Sequence, residues 1–155
     1  MIEKLNRVNP KVSDLMRVAS GHATLTPQDV IAAIPPTVFG RLLLYFSQQR
    51  TPDTRLKGLI VDKCIKHYNL SKRQMRWTKR QQSMNRNDIT IMVSLSLYAY
   101  VSSNDITTRE LAKSLKVATM TCHDNHQKIY NHVVSFMIAE LNAAIAKTLL
   151  RLNIS

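Results

Sequence analysis

The chain has 155 residues, of which 22 are Lys or Arg and 10 are Asp or Glu, so its formal net charge is +12. Hydrophobic residues make up 45% of the chain, and it contains only 3 Gly and 5 Pro. This composition excludes a disordered tail, a collagen-like repeat and a disulfide-stapled miniprotein, and the length suffices to bury a core. The two cysteines, Cys64 and Cys122, are too few for a disulfide framework, so we expect both to be buried as small apolar residues.

Apolar stretches in the sequence are short. None approaches the roughly 20 residues that a membrane span needs, so the sequence predicts no transmembrane helix and no membrane partner. The residues from Met1 onward contain no apolar stretch followed by a small-residue cleavage site, which predicts no secretory signal. Together these features indicate a cytoplasmic protein.

Helix-breaking residues lie only in the first part of the chain, since the last proline is Pro52 and the last glycine is Gly58. Segments beyond them must be separated by Asn, Ser, Thr and Asp, which cap helices through their side chains. The sequence therefore predicts an all-α protein, a multi-helix bundle with one or two helix-turn-helix units and a long C-terminal helix.

The predicted helices follow from these caps and from the apolar periodicity. Thr51, Ser71 and Thr107 are expected N-caps, as is Asn87 or Asp88, and Asn69 is expected to end a helix in the left-handed conformation. The nearly all-apolar helix 89–101 is expected at the centre of the bundle. In chain order the helices cover 11–19, 27–34 with Thr26 as cap, 37–49, 52–68, 71–84, 89–101, 108–115 and 119–152.

The positive charge is concentrated in one segment. Residues 55–87 hold 10 basic residues and 1 acidic residue, which accounts for +9 of the net +12. Solubility requires only dispersed charge, whereas binding to a polyanion requires a patch. Nucleic acid is therefore the leading expected partner.

Residues 61–80 resemble the helix-turn-helix of transcription regulators. The positions that are internal in that motif are occupied by Cys64, Ile65, Tyr68, Leu70, Met75 and Thr78, and Asn69 stands at the turn. The resemblance implies that a helix from Ser71 to Arg80 reads the major groove of double-stranded DNA. A solvated basic helix with Trp77 buried in the core remains the alternative. The expected nucleic-acid contacts are Ser71, Lys72, Arg73, Arg76, Trp77, Lys79, Arg80 and Arg86.

Residues 108–127 also resemble a helix-turn-helix, and are similar to region 4 of sigma factors and to the C-terminal domains of two-component regulators. The resemblance rests on Glu110-Leu111-Ala112, Leu115, Val117 and Cys122, whereas Lys116 replaces the glycine of the turn and Asn125 an apolar residue. The outward face, with one acid and no Lys or Arg, suits packing or contact with a protein such as RNA polymerase better than contact with phosphate. That face would consist of Thr119, Met120, His123, Asp124 and Gln127.

The chain is expected to form one compact domain from three segments. Residues 1–54 form an N-terminal helical segment of unknown role, 55–86 the basic helix-turn-helix, and 88–155 the second unit with the long final helix. An apolar stripe on that helix either forms a homodimer or packs back on helix 89–101. The stripe comprises Val134, Ile138, Leu141, Ile145, Leu149 and Leu152.

The sequence gives little support for a metal, a cofactor or catalysis. Cys64 with His67 and Cys122 with His126 could in principle form a zinc site, but both cysteines occupy internal positions, so no metal is expected. No phosphate-cradling loop and no metalloprotease or serine-hydrolase motif occurs, so we expect neither a cofactor nor an enzyme.

The leading functional expectation is a sequence-specific, DNA-binding transcription regulator. Small regulators of phage or mobile-element operons have this size and mixture of features. This is an analogy with a type of protein and does not rest on a matched motif. Two alternatives stay open. The first is an RNA-binding or RNA-polymerase-associated adaptor of the antitermination type, and the second is a helical protein-interaction module.

Overall fold

The computed structural model describes residues 25–152, and the regular elements in this part of the chain are all helical. The all-α prediction is thereby confirmed, whereas the predicted helix 11–19 lies outside the described residues. The elements are α1 (Pro27–Ala33), α2 (Val38–Ser47), α3 (Thr54–Ser71), a 3-10 turn (Gln81–Ser83), α4 (Arg86–Ser102), α5 (Thr108–Leu115), α6 (Thr119–Thr121), a π turn (Cys122–His126) and α7 (Gln127–Arg151).

Two of the predicted N-caps are confirmed. The Thr26 side chain accepts a hydrogen bond from the backbone N–H of Asp29, and the Asp29 carboxylate accepts one from the backbone N–H of Thr26. Thr107 and Glu110 form the same reciprocal capping box at the start of α5. Each box satisfies two backbone donors that the first turn of a helix leaves free, which fixes where the helix begins.

Two other caps differ from the prediction by two residues or more. Asp53, rather than Thr51, caps α3, because its carboxylate accepts from the backbone N–H three residues further on at 2.8 Å. Asn85, rather than Asn87 or Asp88, caps α4, and Asp88 completes its capping box. Asp88 is thus the third residue of the helix and not its cap.

The centre of the bundle is α7, whereas the sequence predicted that helix 89–101 would occupy it. α7 packs against α1, α2, α3 and α4. Its buried residues are distributed along the whole helix, from Ile129 near its start to Thr148 near its end. α4 also contributes to the core, through Met92 and Val93, but its Tyr98 is exposed. The longest helix is central because it packs against all four of the helices that precede α5.

The apolar stripe of the last helix packs against the core of its own chain. This agrees with the second of its two predicted roles, packing back on the bundle. Val134, Leu141 and Ile145 are buried, and the other three members are partly buried against the core. α7 contacts α4, the helix on which the stripe was expected to pack.

One helix, Thr119–Arg151, is long and apolar enough to span a membrane by those two criteria alone. In this structure it is the central helix of the bundle, and core helices of this length satisfy the same criteria.

The predicted helix from Ser71 to Arg80 is not formed, and this corrects the helix-turn-helix interpretation of residues 61–80. α3 continues through Asn69, which does not take a positive φ, and ends at Ser71; residues 72–80 form turns and irregular backbone. Leu70 and Met75, expected to be internal, are 52% and 44% exposed. Of the motif's internal positions, Cys64 and Tyr68 on α3 are buried, whereas those from Leu70 onward are exposed.

Candidate nucleic-acid interface

Residues 72–80, here called the basic segment, contain five cationic residues and no acidic residue. Trp77 anchors the segment, because its side chain is only 6% exposed. Its ring stacks on Tyr68 of α3 at 5.5 Å and meets His132 of α7 edge-on at 5.0 Å. Trp77 is therefore a core residue, as the alternative interpretation of the sequence had it, and its ring is not exposed for the predicted contact with nucleic acid. Burial of this ring also explains why the segment folds back across α3 instead of forming a helix.

Ser71 is likewise unavailable to a phosphate. It is buried, its hydroxyl donates to the carbonyl oxygen of His67 at 2.8 Å, and it lies 2.9 Å from Nε2 of His132. The hydroxyl thus bonds back along α3, as serine does within a helix, and does not cap a following one. The predicted role of Ser71 at a helix N-terminus is wrong for this reason.

Tyr68 holds the basic segment at both ends. Its hydroxyl donates to the carbonyl oxygen of Gln81 at 2.6 Å and accepts from the backbone N–H of Met84 at 3.0 Å. The Nζ of Lys72 lies 4.6 Å from the centre of the Tyr68 ring, a cation–π contact that leaves Lys72 half-buried. Burial raises the pKa of the Tyr68 hydroxyl, so it stays a hydrogen-bond donor at neutral pH.

Two histidines form a stack beneath the segment. The rings of His67 and His132 are 4.9 Å apart and nearly parallel, and Phe136 stacks on His67 at 4.2 Å. Burial lowers the pKa of both histidines; Glu140 partly opposes this for His67, and the proximity of His67 lowers the pKa of His132 further. Both rings are therefore neutral at pH 7, which suits a packed aromatic stack.

The helix, turn and helix predicted for residues 108–127 are formed. α5 ends at Leu115, Lys116 takes the left-handed conformation with φ 59° and ψ 43°, and the next helix begins at Thr119. Leu111, Ala112 and Cys122 are buried where the two helices meet. The turn thus has the backbone geometry that favours glycine, although a lysine occupies it.

The start of the last helix contains a π turn, Cys122–His126, where the regular α-helical hydrogen bonding is interrupted. The Asn125 side chain donates to the carbonyl oxygen of Thr121 at 3.2 Å. His126 is buried, and its Nδ1 has no hydrogen-bond partner within the described part of the chain. Such π turns often occur at functional positions in helices.

The basic segment lies directly against this π turn. The Thr78 hydroxyl donates to Oδ1 of Asn125 at 3.3 Å, and the Gln81 side-chain amide donates to the carbonyl oxygen of Asp124, also at 3.3 Å. Thr78 and Gln81 hold each other through two reciprocal bonds between side chain and backbone. This link explains why Asn125 is polar. Sequence reasoning missed it, because it joins residues 47 positions apart.

The two stretches that the sequence presents separately therefore form one surface. Lys79 and Arg80 lie between the two linking residues, Thr78 and Gln81, and are exposed, and Arg76 is exposed too. Lys116 in the turn and Lys128 on α7, neither of which was among the expected contacts, are also exposed. The surface is cationic even though the face predicted for the second unit is not.

That predicted face is mostly outward. Thr119, Met120 and His123 are exposed, with Met120 at 72%, and Nδ1 of His123 lies 3.3 Å from an oxygen of Asp124. Gln127 is half-buried instead, because its side chain accepts from the Thr108 hydroxyl at 3.1 Å and also contacts a neighbouring asparagine on α7. It braces the two helices of the unit.

Arg86 lies apart from this surface, at the first residue of α4. Its guanidinium forms an ion pair with Asp62 of α3, with Nη1 and Oδ1 2.7 Å apart. The eight predicted contact residues therefore differ in exposure. Ser71 and Trp77 are buried, and Lys72 is half-buried. Arg76, Lys79 and Arg80 are exposed on the segment held against the π turn, and Arg73 and Arg86 flank α3.

Among residues 25–152, no group of three or more His, Cys, Asp or Glu side chains is placed to hold a metal ion. Cys64 and Cys122 are both buried and free, as expected. Burial raises the pKa of Cys64 to about 12, so its thiol remains protonated, and burial also raises the pKa of Cys122.

No family model, curated protein or solved structure matches the chain.

Proposed function

We propose that the protein is a transcription regulator that binds double-stranded DNA through the surface formed by the basic segment and residues 108–127. The single observation that carries this proposal is the pair of hydrogen bonds from Thr78 and Gln81 to the π turn. These bonds hold the cations of the segment beside the exposed start of the last helix.

The side chains indicate which part of this surface contacts phosphate. Arg76, Lys79 and Arg80 are exposed and unmatched by any acid within the segment, so they supply the phosphate contacts that dominate affinity for DNA. They also offset the repulsion between phosphate and the Asp124 carboxylate, which disfavoured the second unit when it was considered alone.

Sequence readout falls to the first turns of the last helix. Thr119 and His123 can bond base edges, and the exposed thioether of Met120 can pack against a thymine methyl group. Because no Arg or Lys occupies these positions, bidentate recognition of guanine is missing from the helix itself. We therefore expect strong phosphate binding with modest sequence preference.

A second candidate function is an RNA-binding or RNA-polymerase-associated adaptor. Met120 favours it, since a 72% exposed methionine next to Thr119 suits a protein contact as well as a DNA contact. In that case the basic segment follows phosphates and residues 119–127 face a protein.

Parallel selections from a random duplex DNA library and a random single-stranded RNA library distinguish the two. Enrichment of a duplex sequence, which is then lost by Thr119→Ala or His123→Ala, supports the regulator. Enrichment of RNA alone, or duplex binding without any sequence preference, supports the adaptor.

A further inference from the structure

A second cationic surface lies on α3, on a different side from the histidine stack. It is an open cleft of about 360 Å³ between α3 and the start of α4. Its lining includes Asp62, Ile65, Lys66, Leu70, Arg73 and Arg86.

The cleft lies on a different side of α3 from the histidine stack, and of its lining residues only Arg73 also belongs to the basic segment. His67 and Ser71 face α7, where both contact His132. Successive residues of an α-helix are about 100° apart around its axis, so Asp62 and Lys66 point to another side. The ion pair from Asp62 to Arg86 places that side against the start of α4.

The cleft combines surplus positive charge with exposed aliphatic surface. Asp62 is its single carboxylate and is already paired with Arg86. Within residues 25–152, neither Lys66 nor Arg73 forms an ion pair. Leu70 is 52% exposed at the same place. Phosphates would use the cations alone, whereas an acidic peptide with an apolar anchor would use both features.

We propose that this cleft binds an acidic segment of a partner protein, which places a leucine or phenylalanine side chain against Leu70 and pairs its carboxylates with Lys66 and Arg73. The chain's own first 24 residues do not complement the cleft, because they carry 4 basic and 2 acidic residues. A second copy of the chain, with a net charge of +12, does not complement the cleft either, so we take the occupant to be a different protein.

The test is a selection of random peptides displayed on phage against the full chain. Peptides of about 12 residues suffice, since a helix of that length spans the distance from Asp62 on α3 to Arg73 just beyond the end of α3. Phage that bind the Leu70→Ser variant are removed first. This variant has the same net charge as the wild type and changes an exposed side chain, so the subtraction removes peptides attracted by charge alone.

The proposal predicts selected peptides rich in Asp and Glu with at least one Leu or Phe, which bind the wild type about tenfold more tightly than Leu70→Ser. Their binding falls with Arg73→Glu and not with the matched charge reversal Lys79→Glu. Three results would overturn it: no peptide survives the subtraction, both charge reversals weaken the peptides equally, or a random DNA duplex loses more affinity through Arg73→Glu than through Lys79→Glu. The last result would make the cleft a nucleic-acid site.

Discussion

The Thr78 hydroxyl donates to the side-chain carbonyl of Asn125, 47 residues further along the chain, at 3.3 Å. This bond joins an irregular, strongly basic segment to the π turn at the start of the longest helix. Neither element has the properties of the joined surface alone. The basic segment is positively charged but has no regular secondary structure, whereas the start of the last helix is helical but has no Lys or Arg on its predicted face.

Trp77 should be the main anchor of the basic segment. Trp77→Ala removes a buried aromatic ring that packs on Tyr68 and His132, so we expect a loss of about 3–5 kcal/mol in the free energy of unfolding. Met75→Ala, in the same segment but 44% exposed, should change it by no more than about 0.5 kcal/mol. Urea denaturation of the three proteins measures both values, and equal losses would contradict the anchoring role.

The histidine stack should make stability depend on pH. The pKa values of His67 and His132 are lowered in the folded chain, so the unfolded chain binds more protons as the pH falls below the ordinary histidine range. Stability contributed by the neutral rings is complete above the ordinary histidine pKa of about 6.5 and is lost progressively as the pH falls below it.

The control for this prediction removes the titrating rings. The double variant His67→Gln/His132→Gln should show a flatter decline in urea midpoint between about pH 7 and about pH 5 than the wild type. A double variant that declines as steeply as the wild type would assign the pH dependence to other groups.

Lys116 provides a test of the turn between α5 and α6. It is in the left-handed region with φ 59°, where a side chain is disfavoured, so Lys116→Gly should raise the free energy of unfolding by about 0.5–1 kcal/mol. Lys113→Gly, inside α5, should lower it by about 1 kcal/mol. Thermal unfolding of the two variants shows whether each substitution raises or lowers the free energy of unfolding. Destabilisation by Lys116→Gly would show that the turn has a different conformation.

Local signals explain why the second unit could be predicted from sequence. The Thr107–Glu110 capping box fixes the start of α5 through residues close in sequence, and Lys116 takes the left-handed conformation that ends this helix. The helix that begins at Thr119 has no side-chain cap hydrogen bond, so caps explain only the first of the two helices.

The basic segment could not be predicted in the same way. Its apolar spacing matches a helix-turn-helix, but its conformation depends on Tyr68, which bonds to Gln81 and Met84, and on His132, which packs against Trp77. Those contacts join positions far apart, and tertiary packing overrides the local helical preference. The concentration of charge was visible in the sequence, but its position beside the π turn was not.

The proposed function requires that DNA contacts the cations beside the π turn. The double variant Lys79→Ala/Arg80→Ala should weaken binding of a random duplex and reduce the slope of log affinity against log salt by about two, measured by fluorescence anisotropy. The matched control Arg41→Ala/Lys147→Ala removes the same charge from exposed positions on α2 and late in α7, and it should leave the slope nearly unchanged. Equal effects of the two double variants, or no duplex binding by the wild type at low salt, would contradict the proposed interface.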